Sequence, residues 1–411
     1  MKEERVAGDY DALEELSGPF RVPAAERSYG RQFAQVYDYR LAVLRRRVLA
    51  AATRKFEGKL PYVERVLDIP PKQLCFVIGT VYASMRLKPD VLQEIAHEQS
   101  IAAQSVPTYA DPGHDEIFIE DQSGRVRLVG DKIQEGGPLA NLCVTGAVIG
   151  VFGAETPDGD LEVADLAFSG PPPPRSIAKS ESRDDENYIV LASGLGMGSQ
   201  DPKLDLAYDL LLEWLSGELG RRSDAACISS IVLAGDCLER STWEPNEKQS
   251  GSSSRRSAET NPSALFSMLD PWLAELCATM DSVVLLPGAL DPSSATIPQQ
   301  PFQRGLLPRA TKWPNLHCVT NPSWFALHGK TILSTSGQNL DDLLKYVVED
   351  KSTESAALSM AKRFQTTTFE MQHNEQTRTV RVVLVPSFKR TQEVVLINMK
   401  TLEPQVVALR T

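Results

Sequence analysis

The chain has 411 residues, of which 42% are apolar and 24% charged, and its formal net charge is −11 at neutral pH. That length accommodates two or three domains with a sizeable core. The acidic balance argues against a broad basic face for nucleic acid, and no apolar run nears the ~18 residues a membrane-crossing helix needs.

The first residues, Met1-Lys2-Glu3-Glu4-Arg5, lead into no apolar stretch, so no secretory leader is expected. Residues 1 to 28 read as loosely ordered. Next, Phe33, Tyr37, Leu41, Leu44, Val48 and Phe56 form one apolar stripe of a helix. Arg40, Arg45, Arg46, Arg47, Arg54 and Lys55 load the same segment with positive charge. A solvated helix face explains such a run more simply than an acidic partner or DNA.

Strands follow from residue 61. Gln73–Tyr82 is strand-like, and Glu116–Asp121 and Arg125–Gly130 flank a Gln-Ser-Gly turn as a hairpin. Leu142–Gly153 and Leu161–Phe168 are joined by the turn Thr156-Pro157-Asp158-Gly159-Asp160. A helix over Pro89–Glu98 interrupts them. About five strands with glycines at the bends fit a Greek-key barrel of the OB type. Few aromatics, and acids at Glu116, Glu120 and Asp121, make it a structural barrel rather than a single-strand binder.

Pro171–Pro174 and the polar stretch to Asn187 read as a semi-rigid spacer. The boundaries expected are therefore a tail and helix over 1–60, a barrel with linker over 61–185, and a final domain over 186–411. In the last, strands and helices alternate: strand Tyr188–Ser193, helix Leu204–Leu219, strand Cys227–Ala234, helix Pro262–Met280 and strand Val283–Leu286. Asn315–Thr320, Phe325–Leu327 and Thr331–Ser334 continue the sheet. Thr379–Val385 and Glu393–Asn398 are expected to pair as a hairpin, and 244–259 to form a polar surface loop.

The cysteines, Cys75, Cys143, Cys227, Cys237, Cys277 and Cys318, are scattered with no C-x-x-C pair. A zinc ribbon or iron–sulfur site needs closer ligands, so they read as buried thiols suited to a reducing compartment.

Two strand ends carry the most information. Ile231–Cys237 ends in Gly235-Asp236, and Val283–Asp291 ends in Pro287-Gly288-Ala289-Leu290-Asp291. They resemble the places where metallophosphoesterases keep a metal-binding Asp and an Asn-His pair. Here Ala289 and Leu290 stand at the Asn-His positions, and Ser193-Gly194-Leu195 stands where an Asp-x-His is expected. Neither Ala nor Leu has a lone pair for a metal. Asp236 and Asp291 remain, with backbone capping as their ordinary role. None of His97, His114, His317, His328 and His373 falls at a ligand position. The loop Ser193–Gly198 lacks the Lys-Ser/Thr of a P-loop and reads as a tight, flexible turn.

Ordered motifs then carry a family resemblance. They are Ser28–Phe33, Val77–Thr80, Leu191–Gly196, Leu233–Asp236, Pro287–Pro292, Ile297–Pro301, Val319–Pro322 and Thr335–Asn339. Over about Ser28–Val347 the chain resembles the small (B) subunits of eukaryotic DNA polymerase delta. That resemblance implies an α/β plus β protein: an OB-fold barrel joined to an inactivated calcineurin-like (metallophosphoesterase) αββα sandwich. Ser193, Leu195, Asp236, Ala289, Leu290 and Asp291 would then be relic active-site positions, with no catalytic, metal or cofactor role.

The resemblance also implies a nuclear scaffold. It would bridge the C-terminal metal-binding domain of the polymerase catalytic subunit and a third, clamp-binding subunit. The polymerase zeta catalytic subunit is a further implied partner, and DNA would be met only indirectly. A divergent metal-dependent phosphodiesterase or nuclease is the competing reading. The sequence departs from the family between Tyr346 and Thr379. A helix-like Ala356–Phe364 and a lone His373 replace the expected His-x-x-Pro-Thr-Ala, Cys-Tyr-Pro and Gly-Asn-Thr.

Overall fold

The computed structural model of the chain describes residues 9–28, 30, 34–57, 61–89, 108–111, 113–134, 139–170, 187–199, 201–239, 262–346, 367–373 and 376–409. The expected helix beyond Pro89, the proline run, the 244–259 loop and the helix-like 356–364 lie outside these residues. Two compact units form. One comprises Met1–Arg27, Pro174–Asn339 and Ala357–Thr411, and the other Ser28–Pro173 and Leu340–Ala356. The first 60 residues therefore divide between the units.

Residues 9–27, expected to be loosely ordered, are built into the first unit. Strand β1 (Tyr10–Asp11) pairs antiparallel with Ser323–Leu327. Ser17 is buried, and its hydroxyl accepts the Trp324 N–H at 2.8 Å. The Tyr10 ring stacks on His317 with centroids 3.6 Å apart. The segment lacks apolar periodicity because its anchors are single residues.

In the other unit the helix Ala34–Lys55 precedes β2 (Tyr62–Val63), β3 (Leu74–Ser84), β4 (Glu116–Glu120), β5 (Arg125–Val129), β6 (Val148–Glu155) and β7 (Leu161–Phe168). The order β3-β4-β5-β7-β6 closes on itself through β3–β6, with β5–β7 parallel and its other pairs antiparallel. That is a five-stranded OB barrel. The period of two decides what each side of β3 meets. Cys75, Val77 and Val81 enter the barrel with Ile119, Ile149 and Leu166. Phe76 and Ile78 point outward under Leu41, Val48 and Ala52 of the helix. Gly150 lets this happen, since a Cβ there would lie 2.2 Å from the Phe76 ring.

Four of the helix cations make polar contacts within this unit, and Arg40 and Lys55 among them remain exposed. Arg40, Arg45 and Arg47 donate to the backbone carbonyls of Gly146, Glu64 and Gly170 at 3.3, 2.6 and 2.8 Å. Lys55 donates to the Leu166 carbonyl at 2.8 Å and pairs with Asp165 at 2.8 Å. Arg46 and Arg54 are exposed.

The first unit centres on a six-stranded sheet. β8 (Tyr188–Ala192), β9 (Ile228–Ala234), β10 (Ser282–Leu286) and β11 (Leu316–Cys318) run parallel. β12 (Ser323–Leu327) and β13 (Lys330–Ser334) join β1 in a separate antiparallel sheet rather than extending the first. β14 (Thr367–His373) pairs with β15 (Gln376–Val382). β16 (Glu393–Asn398) lies antiparallel between β8 and β17 (Pro404–Ala408).

The expected hairpin between 379–385 and 393–398 is thus replaced by β14–β15 and β16–β17. β16 takes an interior position because both of its faces are apolar. Val394 enters one core and Val395 and Ile397 the other. The helices Pro202–Ser216 and Pro262–Thr279 cover one face of the large sheet through Leu211, Leu215, Leu269 and Leu273. Phe325 and Leu327 of the small sheet cover the other. The described layers are helix, sheet and sheet. The second helical layer of the expected αββα sandwich is not among the described residues.

Candidate functional site

The carboxyl ends of β8, β9 and β10 are neighbours, because three adjacent parallel strands end together. In such sheets ligands bind where the loops leave these ends. The Ser193–Gly198 loop is stitched on both sides rather than flexible. Gly194, Gly196 and Met197 donate to the carbonyls of Gly235, Asp236 and Cys237, and Phe388 and Lys389 donate to those of Ser193 and Gly194. The Ser193 hydroxyl donates to the Ala234 carbonyl at 2.9 Å. Leu195 turns into the helix-side core, and its carbonyl accepts the Tyr208 hydroxyl at 2.7 Å. Gly194 has φ +63°, and a Cβ there would lie 2.7 Å from the Ser387 hydroxyl.

The two carboxylates brace each other's loops. Asp236, at φ +52°, accepts the Leu290 N–H at 2.8 Å. Asp291 is buried and accepts the N–H groups of Gly288, Leu238 and Cys237 at 2.8, 3.0 and 3.3 Å. The loops meet so closely that a Cβ on Gly288 would lie 2.2 Å from the Asp236 nitrogen. Ala289 is exposed and Leu290 half-buried at the rim.

Burial pushes the Asp291 carboxyl up from 3.8 to about 6, and Asp236 adds to this, against the three N–H donors, which pull it down. The same burial holds the Cys237 thiol well above its usual range, so it stays protonated at neutral pH.

Sequence reading missed a second layer at this site. Gln299 and Asn321 are both buried, and the Asn321 amide donates to Gln299 Oε1 at 2.8 Å and to the Ser336 hydroxyl at 2.7 Å. Gln299 in turn donates to the Gly288 carbonyl at 3.1 Å, and Gln338 donates to Gln299 Oε1 at 3.1 Å. The motifs Ile297–Pro301, Val319–Pro322 and Thr335–Asn339 thus converge beneath Pro287–Pro292. Their shared amide and hydroxyl content is the signal that could have grouped them.

These residues do not fit a binuclear metal centre. Hard divalent ions want several carboxylates or imidazoles, and both carboxylates here accept backbone donors. Among the described residues no group of three or more His, Cys, Asp or Glu is gathered to hold a metal. His328 bonds Ser229 at 2.5 Å, at the opposite end of the sheet, and His317 lies under Tyr10.

Asp291 titration should be visible in stability. Its folded-state value lies above its unfolded one, so folding takes up a proton between about 4 and 6. The stability it contributes is greatest below 4 and falls as the pH rises through 6, by about 3 kcal/mol in all. Chemical denaturation of the wild type and Asp291→Asn from pH 4 to 7.5 should show the difference between them changing in that direction. A difference independent of pH would refute the assignment.

The chain thus carries an OB barrel followed by an α/β unit with a mixed six-stranded sheet, whose two strand-end carboxylates accept backbone N–H groups. Residues 32–166 match the family described as the DNA polymerase delta subunit OB-fold domain, and 189–385 match the family of B subunits of DNA polymerases alpha and epsilon. The DNA polymerase delta small subunit of Saccharomyces cerevisiae is 31% identical over 82% of this chain and 69% of its own length. That of Arabidopsis thaliana is 32% identical over 84% of this chain and 74% of its own length. DNA polymerase delta subunit 2 of Drosophila melanogaster is 29% identical over 96% of both. The chain belongs to the family of DNA polymerase delta small subunits.

Proposed function

We propose that this chain is a non-catalytic scaffold of a nuclear DNA polymerase delta complex, in which it joins the catalytic subunit's C-terminal domain to a third subunit. It keeps a calcineurin-like frame whose chemistry has been replaced by internal bracing. The observation that carries this reading is the reciprocal capping of the two strand-end loops by Asp236 and Asp291, with Ala289 and Leu290 at the rim. Carboxylates that hold backbone donors stabilise a surface, and a stable surface is what a bridging protein presents. An obligate bridge should bury about 2,000 Å² or more, and the chain should gain solubility when its partners are present.

The non-catalytic part is tested by hydrolysis of a nitrophenyl phosphodiester and of labelled single-stranded DNA with Mn²⁺. The wild type should equal Asp236→Ala at background. Turnover that disappears in Asp236→Ala would establish a working metal site and defeat the scaffold reading.

A further inference from the structure

Residues 303–314 form an exposed shoulder of the first unit, just before β11. Arg304, Arg309 and Lys312 are exposed there, beside Leu306 at 38% and Trp313 at 40% exposure. In a chain of net charge −11 this is a local reversal of sign. None of the three cations has an ion-pair partner among the described residues. Elsewhere several cations are engaged: Lys389 is paired with Glu239, Arg127 with Glu116 and Asp160, and Lys55 with Asp165.

The shoulder is rigid as well as basic. The buried Asp270 carboxylate, on the helix Pro262–Thr279, accepts the N–H groups of Arg309 and Ala310 at 2.8 to 3.1 Å. Phe302, Leu307 and Ala310 are inserted into the helix-side core. The Thr311 hydroxyl donates to the Leu307 carbonyl at 2.7 Å, and Arg304 donates to that of Thr311 at 2.9 Å. A buried carboxylate and three core anchors thus support two turns that themselves bury no charge. Their product is a fixed outward display of a Trp, a Leu and three cations.

We propose that this shoulder docks an acidic segment of a partner protein, one that sets an apolar side chain against Trp313 and Leu306 while its carboxylates face Arg304, Arg309 and Lys312. Trp and Arg held on a rigid frame are the residues that dominate interface energetics. The adjoining apolar pair favours a protein over a nucleic acid strand, which would call for a longer basic track with several stacking rings. The surface rests on the scaffold reading above, because it needs a protein partner.

The test uses the full chain, co-expressed with the polymerase catalytic subunit or with the third subunit, and measures each affinity at low and physiological salt. Arg309→Glu/Lys312→Glu, both exposed, should weaken binding of one of the two at least about tenfold, with the wild-type salt dependence reduced. Trp313→Ala should weaken the same partner, whereas Arg309→Lys, which keeps the charge, should bind it nearly as the wild type does. Unchanged circular dichroism and melting temperature identify the loss as one of interface. If both partners bind wild type and variants equally, the shoulder is overturned while the scaffold stands. If neither binds the wild type, both fall. Tight binding of single-stranded DNA that the double variant loses, with affinity for both protein partners intact, overturns the proposal in favour of nucleic acid.

Discussion

Replacing Asp291 with Ala should destabilise the α/β unit by about 3 kcal/mol at neutral pH, three orphaned donors at about 2 kcal/mol each less about 3 kcal/mol of charge relief, and by more in acid. The carboxylate accepts three buried N–H groups, those of Cys237, Leu238 and Gly288, and Ala leaves all three without an acceptor. Each orphaned donor costs about 1–3 kcal/mol. Relief of a buried charge returns about 3 kcal/mol at pH 7, since the carboxyl titrates near 6. That relief fades as the pH falls and is gone below about 4, where the protonated carboxyl still accepts, so the loss should be larger in acid. Asp291→Asn keeps one accepting oxygen and should cost less than Ala. Urea unfolding followed by signals from each unit checks this, since two units need not unfold together. An Ala variant within about 1 kcal/mol of wild type at about pH 4, where no charge relief offsets the lost acceptor, would remove the bracing role.

The second large effect is expected at Phe76. Its ring is fully buried between the helix Ala34–Lys55 and the barrel wall, 6.2 Å from Phe56 and 6.4 Å from Tyr62 between centroids. Phe76→Ala should cost about 3–5 kcal/mol, because a well-packed core relaxes only partly around such a hole. The loss should fall on the OB unit, and hydrogen exchange should rise first in residues 34–55. Filling the adjoining space from the other side is also unfavourable. Gly150→Ala sets a methyl 2.2 Å from the Phe76 ring, so the ring must move, and overpacking of this kind costs about 1–3 kcal/mol. Equal exchange protection in wild type and Phe76→Ala would show that the helix is held by its arginines alone.

What the sequence made legible was local. The Glu116–Val129 hairpin and the strand Ile228–Ala234 follow from apolar patterning and a Ser-Gly turn set by neighbours in the chain, and the helix expected over Leu204–Leu219 forms over Pro202–Ser216, where Asp201 caps it and Gly217 stops it. The family motifs pointed to the OB unit and placed Asp236 and Asp291 at strand ends. What failed was non-local. Nothing near Val394 tells that β16 inserts beside β8, because its two-sided burial depends on partners some 200 residues away. The arginines of the 34–55 helix read as a solvated face, and Arg40, Arg46 and Arg54 are exposed, but the carbonyls that Arg40, Arg45 and Arg47 meet belong to other loops and could not be read locally. The Gln299–Asn321–Ser336 network joins three loops whose polar residues look like ordinary turn chemistry one at a time. The bracing of Asp291 was anticipated as capping, but its donors come partly from the β9 loop, 53 and 54 residues earlier.

The role proposed for this chain is to hold other subunits of the polymerase. Co-expression with the catalytic subunit of DNA polymerase delta, followed by size-exclusion chromatography with light scattering, tests it most directly. A 1:1 complex should survive dilution to nanomolar concentration and extend to a 1:1:1 complex with the third subunit. A monodisperse monomer that elutes apart from both subunits would contradict it.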